Sequence, residues 1–213
     1  MINLILSHIA RLLLNILHTL FWRVCYETYF YGYRLVIPRG VFHPKYTFST
    51  GILLKCLNLG ISRLLKKCNF CVDVGSGSGI VSIYLASKNY YVISTDISYD
   101  AVLTTKVNAK LNGAFNNIDV LLCNHVSSLR KSSLIICNPP YLPLYPKNKI
   151  DYLWCIYSPR YLSLLLRYML NQCKVMIFTL SSLSGVDAFS CCKLISQIQT
   201  FLDRVYVLLC VRK

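Results

Sequence analysis

From about residue 47 onward, the apolar and polar positions of this chain fall into alternating blocks. Residues 47 to 66 repeat apolar side chains at helical spacing, and "NFCVDV" at 69 to 74 is a buried-strand pattern opening into "GSGSG". A helix is expected through "IVSIYLASK", a strand at 90 to 96, and a helix through "AVLTTKVNAKLNG", where Gly113 suits the stop. "IDVLLC" and "SLIICN" read as two further strands and residues 158 to 171 as a helix. "KVMIFTL" is then a strand, a helix is expected from about 187, and "RVYVLLCV" is the last strand. Strands alternating with helices predict an α/β fold, a mostly parallel twisted sheet with helices on both faces. The segment 142 to 157 is the long irregular connection, and such loops in compact domains tend to be functional.

Ahead of this region, residues 1 to 46 read as an amino-terminal amphipathic helix with an extended segment, and residues 47 to 213 as the main domain. In the first 24 residues Ser7, Arg11, Asn15, Thr19 and Arg23 recur every four positions, a polar stripe opposite a wide apolar face. Arg11 and two histidines interrupt the apolar run, so the helix is expected to pack on the domain or on a partner, and a membrane is not expected as its seat.

Three strand ends carry candidate chemistry. After "VDV" come Gly75, Gly77 and Gly79, which allow a tight turn and close approach of a ligand to the backbone. The spacing is G-x-G-x-G where a dinucleotide fingerprint needs G-x-G-x-x-G, so by itself the turn is either a ligand cradle or only a tight connection. The next strand ends in Asp96, about twenty residues on, where a carboxylate can accept both hydroxyls of a ribose. A later run, "IICNPPYLP", stops on Asn138. Pro139 and Pro140 cannot donate to a sheet ladder, so they close that strand ahead of Tyr141.

Charge sharpens the picture. The 213 residues hold 23 Lys and Arg against 8 Asp and Glu, a net +15, which suits an anionic partner or a generally basic background. With Glu27 the single glutamate, a strand-ending Asp calls for a reason. Of the eleven cysteines, Cys68 and Cys71 form a CxxC pair with no second pair at zinc spacing. No secretory signal pattern is present, so the cysteines are read as small buried hydrophobes in a reducing cytoplasm.

Taken in order, "VDVGSGSG", "STDIS" and "CNPPY" resemble the class I S-adenosylmethionine-dependent methyltransferases with a Rossmann-like fold, in the branch marked by Asn-Pro-Pro-Tyr. The resemblance covers roughly residues 36 to 180 and is nearest to the HemK-like enzymes that modify the glutamine side chain of translation release factors, in their short archaeal and eukaryotic form. "VFHPKYTFSTGILLKCL" is similar to that subgroup's pre-motif, and "DYLWCIYSPRYLSLLL" to its Trp-containing stretch. The resemblance implies S-adenosylmethionine as cofactor, held by Thr47, Asp73, Gly75, Gly77 and Gly79 in the first half of the site. Asp96, Ile97, Asn124 and Asn138 would complete the pocket. Two positions depart from the pattern: Lys45 and Tyr46 stand where an acid is usual, and Cys123-Asn124-His125 replaces an acidic loop, with Asn124 as the amide substitute.

The same resemblance gives Asn138, Pro139, Pro140 and Tyr141 the catalytic roles. An amide nitrogen is a poor nucleophile because its lone pair is delocalised. The Asn138 oxygen and the Pro139 carbonyl would accept its two N–H groups, Pro140 would hold them rigid, and Tyr141 would stack on the flat acceptor. Neither a metal nor a covalent nucleophile is required. A translation release factor is the favoured substrate, with adenine N6 in RNA or DNA as the alternative that the same chemistry serves. DNA enzymes normally carry a domain that reads the base, and no stretch here is long enough for one. The family's sheet ends in an antiparallel strand pair, and with about 34 residues after Thr179 one of the two is expected to be short or missing. Mean hydropathy is +0.48, high for a soluble enzyme, and relatives in the short branch work with a small zinc-binding activator. The edge near Val120 to Leu122 and the amino-terminal helix are the candidate surfaces for it.

Overall fold

A computed structural model describes residues 2–22, 26–59, 70–127, 129, 131–188 and 190–212. The amino-terminal helix α1 (Ile2–Trp22) precedes a hairpin of β1 (Glu27–Phe30) and β2 (Tyr33–Val36), then helix α2 (Phe48–Leu59). There follow β3 (Cys71–Val74), α3 (Ile80–Ser87), β4 (Val92–Asp96), α4 (Tyr99–Leu111), β5 (Ile118–Leu122) and β6 (Ser132–Cys137). The chain closes with α5 (Pro159–Asn171), β7 (Cys173–Ser181), β8 (Lys193–Gln199) and β9 (Arg204–Val211). Residues 60 to 66 of the expected second helix, and Cys68 of the CxxC pair, lie outside the described residues.

Seven strands form one sheet in the order β5-β4-β3-β6-β7-β9-β8, parallel from β5 through β7 and antiparallel at β9 and β8. Successive strand residues face opposite sides. Cys71, Leu134 and Ile136 therefore join a core under α2, α3 and α4. Val72, Val74, Ile135 and Cys137 join a second core under α5. Local signals start the helices: Ser98 caps α4 by accepting from the Ala101 N–H, and Ser158 with Pro159 opens α5. Gly113, at φ +67, follows the end of α4.

Two expectations about the last third fail. Among the described residues no helix runs from 187; "KLISQIQ" is the outer strand β8, because pairing to β9 outweighs the helix propensity of its Lys, Leu and Gln. Both antiparallel strands are therefore complete, at seven and eight residues, since a four-residue turn leaves the short remaining chain enough length for two. The cysteine reading also needs correction. Cys56, Cys71, Cys123, Cys137, Cys155 and Cys173 are buried thiols, but Cys192 and Cys210 are joined as a disulfide between the approach to β8 and β9.

Helix α1 does fold back on the domain, inverted from the usual sense. Its polar stripe faces inward: Ser7 and His18 are buried, and Asn15 donates to Asp151 (2.7 Å) and accepts from the Trp154 indole (2.9 Å). The apolar strip, including Ile5, Ile9, Leu12 and Ile16, faces out. Among the described residues, Ile2–Leu20 is the one helical stretch long and apolar enough to cross a membrane.

Candidate active site

Register places the three sequence motifs in one row. Val74 pairs with Thr95 on one side and Cys137 on the other, so the next residues, Gly75, Asp96 and Asn138, end their strands side by side. Strand order reverses here, β4 lying on one side of β3 and β6 on the other, which is where open α/β sheets bind ligands. A cleft of about 1200 Å³ opens above this row, lined by the glycine turn, the Asp96 loop, Asn138 to Pro140, part of segment 148–157 and the inner side of α1.

The glycine turn has divided duties. Gly75, at φ +74, lines the cleft, and a Cβ there would meet nothing within 4 Å. Gly79, at φ +80, does not line the cleft; a Cβ would lie 2.9 Å from the Thr105 methyl, so its glycine serves close packing of the turn on α4. Gly77 gives its N–H to Asp96 Oδ2 (2.9 Å), and Ser98 N–H reaches Oδ1 (2.9 Å). Two residues of α4 that the sequence did not single out hold this turn: Asn108 donates to the Ser78 carbonyl and Thr105 to that of Gly77.

Two carboxylates form the floor. Asp73 is buried and accepts from Ser82 (2.6 Å). Burial pushes it up to about 6, with the nearby charge of Asp96 adding to this and the Ser82 bond opposing it. Burial also raises Asp96, against the bonds from Ser98 and Gly77. Ile97 and Asn124 are exposed at the cleft wall, and beside them His125 lines the cleft with its own pKa lowered by burial.

Asn138 is half-buried and held at both ends of its amide. Its nitrogen donates to Thr50 (3.2 Å), and its oxygen accepts a short bond from the Thr179 hydroxyl. Thr50, rather than Thr47, reaches the cleft; Thr47 instead bonds Ser49 (2.9 Å) at the start of α2. Tyr141 also departs from expectation. Its ring packs between two apolar clusters beneath the cleft, where burial raises its pKa. The aromatic side chains lining the cleft are Phe42, and Tyr152, Tyr157 and Tyr161 from segment 142–157 and the first turn of α5.

That segment is fixed through one acid. Asp151 is buried and accepts from Asn15 and the Lys147 N–H (2.9 Å), with the Arg11 guanidinium 3.8 Å away. Asp151 and Trp154, three positions apart, meet the i, i+4 pair Arg11 and Asn15. Nothing in either stretch by itself says that the two meet.

The glycine cradle facing open space and a carboxylate fixed at the next strand end suit an adenosine-type cofactor. Comparison with known proteins agrees. Residues 32–146 match the family model described as "Methyltransferase small domain". Human "Methyltransferase HEMK2" is 31% identical over 133 residues, covering 58% of this chain and 59% of that protein. The "Release factor glutamine methyltransferase" of Bacillus cereus is 40% identical over 76 residues, 33% of this chain and 26% of the relative. A "Ribosomal protein L11 methyltransferase" of Campylobacter fetus is 43% identical over 84 residues, 37% of this chain and 30% of the relative. The chain thus spans less than two thirds of the length of these relatives. Among solved structures the "delta-N METTL16 MTase domain" superposes with a TM-score of 0.62 over 96% of both chains, at 13% identity, a likeness of fold. With the motif row, the switch-point cleft and more than half its length matched, the chain belongs to the methyltransferase small domain family, a class I fold whose methyl donor is S-adenosylmethionine.

Proposed function

We propose that this protein is an N-methyltransferase acting on a planar nitrogen, in first place the glutamine side-chain amide of a translation release factor. The observation that carries the reading is Asn138, fixed by Thr50 and Thr179 in the same row as Gly75 and Asp96 and open to the cleft. S-adenosylmethionine supplies an electrophilic methyl group on a sulfonium. The chain's part is to hold the acceptor. The Asn138 oxygen keeps a second lone pair beside the Thr179 bond, and with the Pro139 carbonyl it accepts the two N–H groups of an amide. The nitrogen lone pair then turns toward the donor, and Pro140 keeps the acceptors rigid. Asp96 is assigned to the ribose hydroxyls, Gly75 and Gly77 to close backbone approach, and Ile97 and Asn124 to the adenine. Asp73 supports the turn from below. Since Tyr141 is packed away, Tyr152, Tyr157 and Tyr161 are the candidates to cover the flat acceptor.

A second reading, adenine N6 in RNA, has its own support. Tyr145, Tyr152, Tyr157 and Tyr161 are exposed and in ring contact near the mouth, a stacking surface for bases on a chain of net charge +15. Mass spectrometry of release factor and of ribosomal RNA after incubation with labelled cofactor separates the two. The first reading expects label on a release-factor glutamine and none on RNA; label confined to RNA reverses the order.

For a zinc-binding activator, the proposed seat is the outer strand β5, where Leu121 and Leu122 are exposed at the sheet edge. Residues 1–46 are assigned as an extension of the domain 47–213, and a cytoplasmic setting follows from the proposed substrates. Co-expression with the activator should raise yield and turnover. A fully active, well-behaved preparation without it removes the dependence.

A further inference from the structure

Helix α1 presents the wrong face to water. At about 100° per residue, Ser7, Arg11, Asn15 and His18 share the side that meets the domain, while Ile5, Ile9, Leu12, Ile16 and Leu20 share the opposite side. Eight of the helix's aliphatic side chains are 41 to 72% exposed. This strip has no acid, and the one described cation of the helix, Arg11, points inward to Asp151. The polar groups that flank the strip are largely turned back on the helix itself: Thr19 donates to the Asn15 carbonyl and the His8 imidazole meets that of Leu4, while Ser7 on the inner side donates to the Asn3 carbonyl. A protein interface of ordinary size relies on about ten hydrogen bonds, and this face offers almost nothing to make them with. Hydrocarbon asks for none.

A second element adds to the strip. The turn between β8 and β9 packs Leu202 into the cluster beneath α1, beside Leu6 and Ala10, and leaves its neighbour Phe201 98% exposed. The surplus of 23 cations over 8 acids complements an anionic headgroup layer. Because the helix is bound to the domain along its length, from Ser7 through Asn15 to His18, it lies along the protein and cannot cross a bilayer while docked.

We propose that α1 and the Phe201 turn seat this protein on an anionic phospholipid surface, with α1 in the plane of the interface and the cleft, which Asn15 and Thr19 help to line, beside it. The methyl acceptor plays no part in this inference. It revises the expectation of no membrane, which took the apolar face to be covered by protein.

The test is flotation of the purified full chain with vesicles of phosphatidylcholine containing about one third phosphatidylglycerol, and with phosphatidylcholine alone. The wild type should float with the anionic vesicles and much less with the neutral ones. The double variant Ile5→Asp, Leu12→Asp should lose roughly tenfold or more in binding and Phe201→Ser severalfold, with calorimetric affinity for S-adenosylmethionine unchanged as proof of fold. The proposal is overturned if the wild type floats with neither vesicle or the double variant floats equally well. Resistance to alkaline carbonate would instead mean a spanning helix. A gel-filtration dimer dissolved by the same double variant, without flotation, would assign the face to a second copy of the chain.

Discussion

The two walls of the cleft are built on different principles. The wall that ends β3, β4 and β6 inherits its geometry from the sheet, so Gly75, Asp96 and Asn138 are placed by register and by many ladder bonds at once. The opposite wall, α1 and the segment 142–157, is placed by polar contacts that converge on Asp151. One wall is held by many equivalent ladder bonds, while the side-chain contacts that join α1 to the other share one carboxylate. A point change should therefore act locally on the first and collectively on the second.

The largest effect on turnover is expected at Asn138. Asn138→Ala removes the proposed acceptor from a wall that stays intact, so turnover should fall by roughly 100-fold or more with cofactor affinity near normal. A variant that keeps most of its turnover would break the assignment. Next comes Asp151→Ala, which leaves Arg11 and Asn15 facing a void; removing one partner of a buried ion pair costs about 3 to 5 kcal/mol. Denaturant unfolding should show that loss together with proteolytic exposure of α1. Asp96→Ala, on the wall held by ladder bonds, should instead leave the fold standing and cost about 3 kcal/mol of S-adenosylmethionine affinity. Calorimetry giving equal affinity for variant and wild type would erase the contrast.

The walls also titrate in opposite senses. Asp73, pushed up to about 6 from 3.8, binds a proton in the folded state that the unfolded chain has already lost, so between pH 4 and 6 its contribution favours folding more as pH falls. Near the α1 side, His43 is lowered to about 4 by burial and by the charges of Lys45 and His18, and its Nδ1 accepts from the Lys45 N–H. It resists a proton that the unfolded chain takes up below 6.5, so its contribution is lost as pH falls through the same window. In the wild type the two contributions run in opposite directions. Asp73→Asn should unmask acid lability of about 2 kcal/mol between pH 6.5 and 4, after allowing for partial screening. Unchanged melting across that range in the variant would show the histidine to be free to charge.

The smallest effects separate two glycines of one turn. Gly79→Ala should cost about 2 kcal/mol of stability, from a left-handed φ and the Thr105 contact. Gly75→Ala, equally left-handed but open, should cost about 1 kcal/mol and be felt in cofactor affinity as well. Thermal melts of the pair, read beside titrations, check the division.

How far the sequence reached follows the same line. The motif row could be read because each motif is local, a strand pattern ending in a residue with one function, and parallel register then brings those ends together. The β1–β2 hairpin could also have been read, since its two-residue loop Tyr31-Gly32, both at positive φ, falls between alternating runs. Strand β8 could not, because its residues favour a helix unless β9 lies beside them. The orientation of α1 was hidden for a different reason. Spacing tells which residues share a face, but only Asp151, 136 residues from Asn15, decides that the polar face turns inward. Tyr141 follows suit, since the apolar clusters that draw its ring down are contributed by distant segments.

The base of segment 142–157 is clipped shut: Tyr141 and Leu142 both donate to the Trp154 carbonyl, and Ile156 donates back to Leu142. Its stem is a closed ring while Lys147, Asn148 and Lys149 at the tip are exposed. A segment of this kind is an exchangeable cassette. Tips of other lengths and charges could be grafted onto the same clip, changing which molecule is presented to the cleft while leaving the three strand ends below it unaltered.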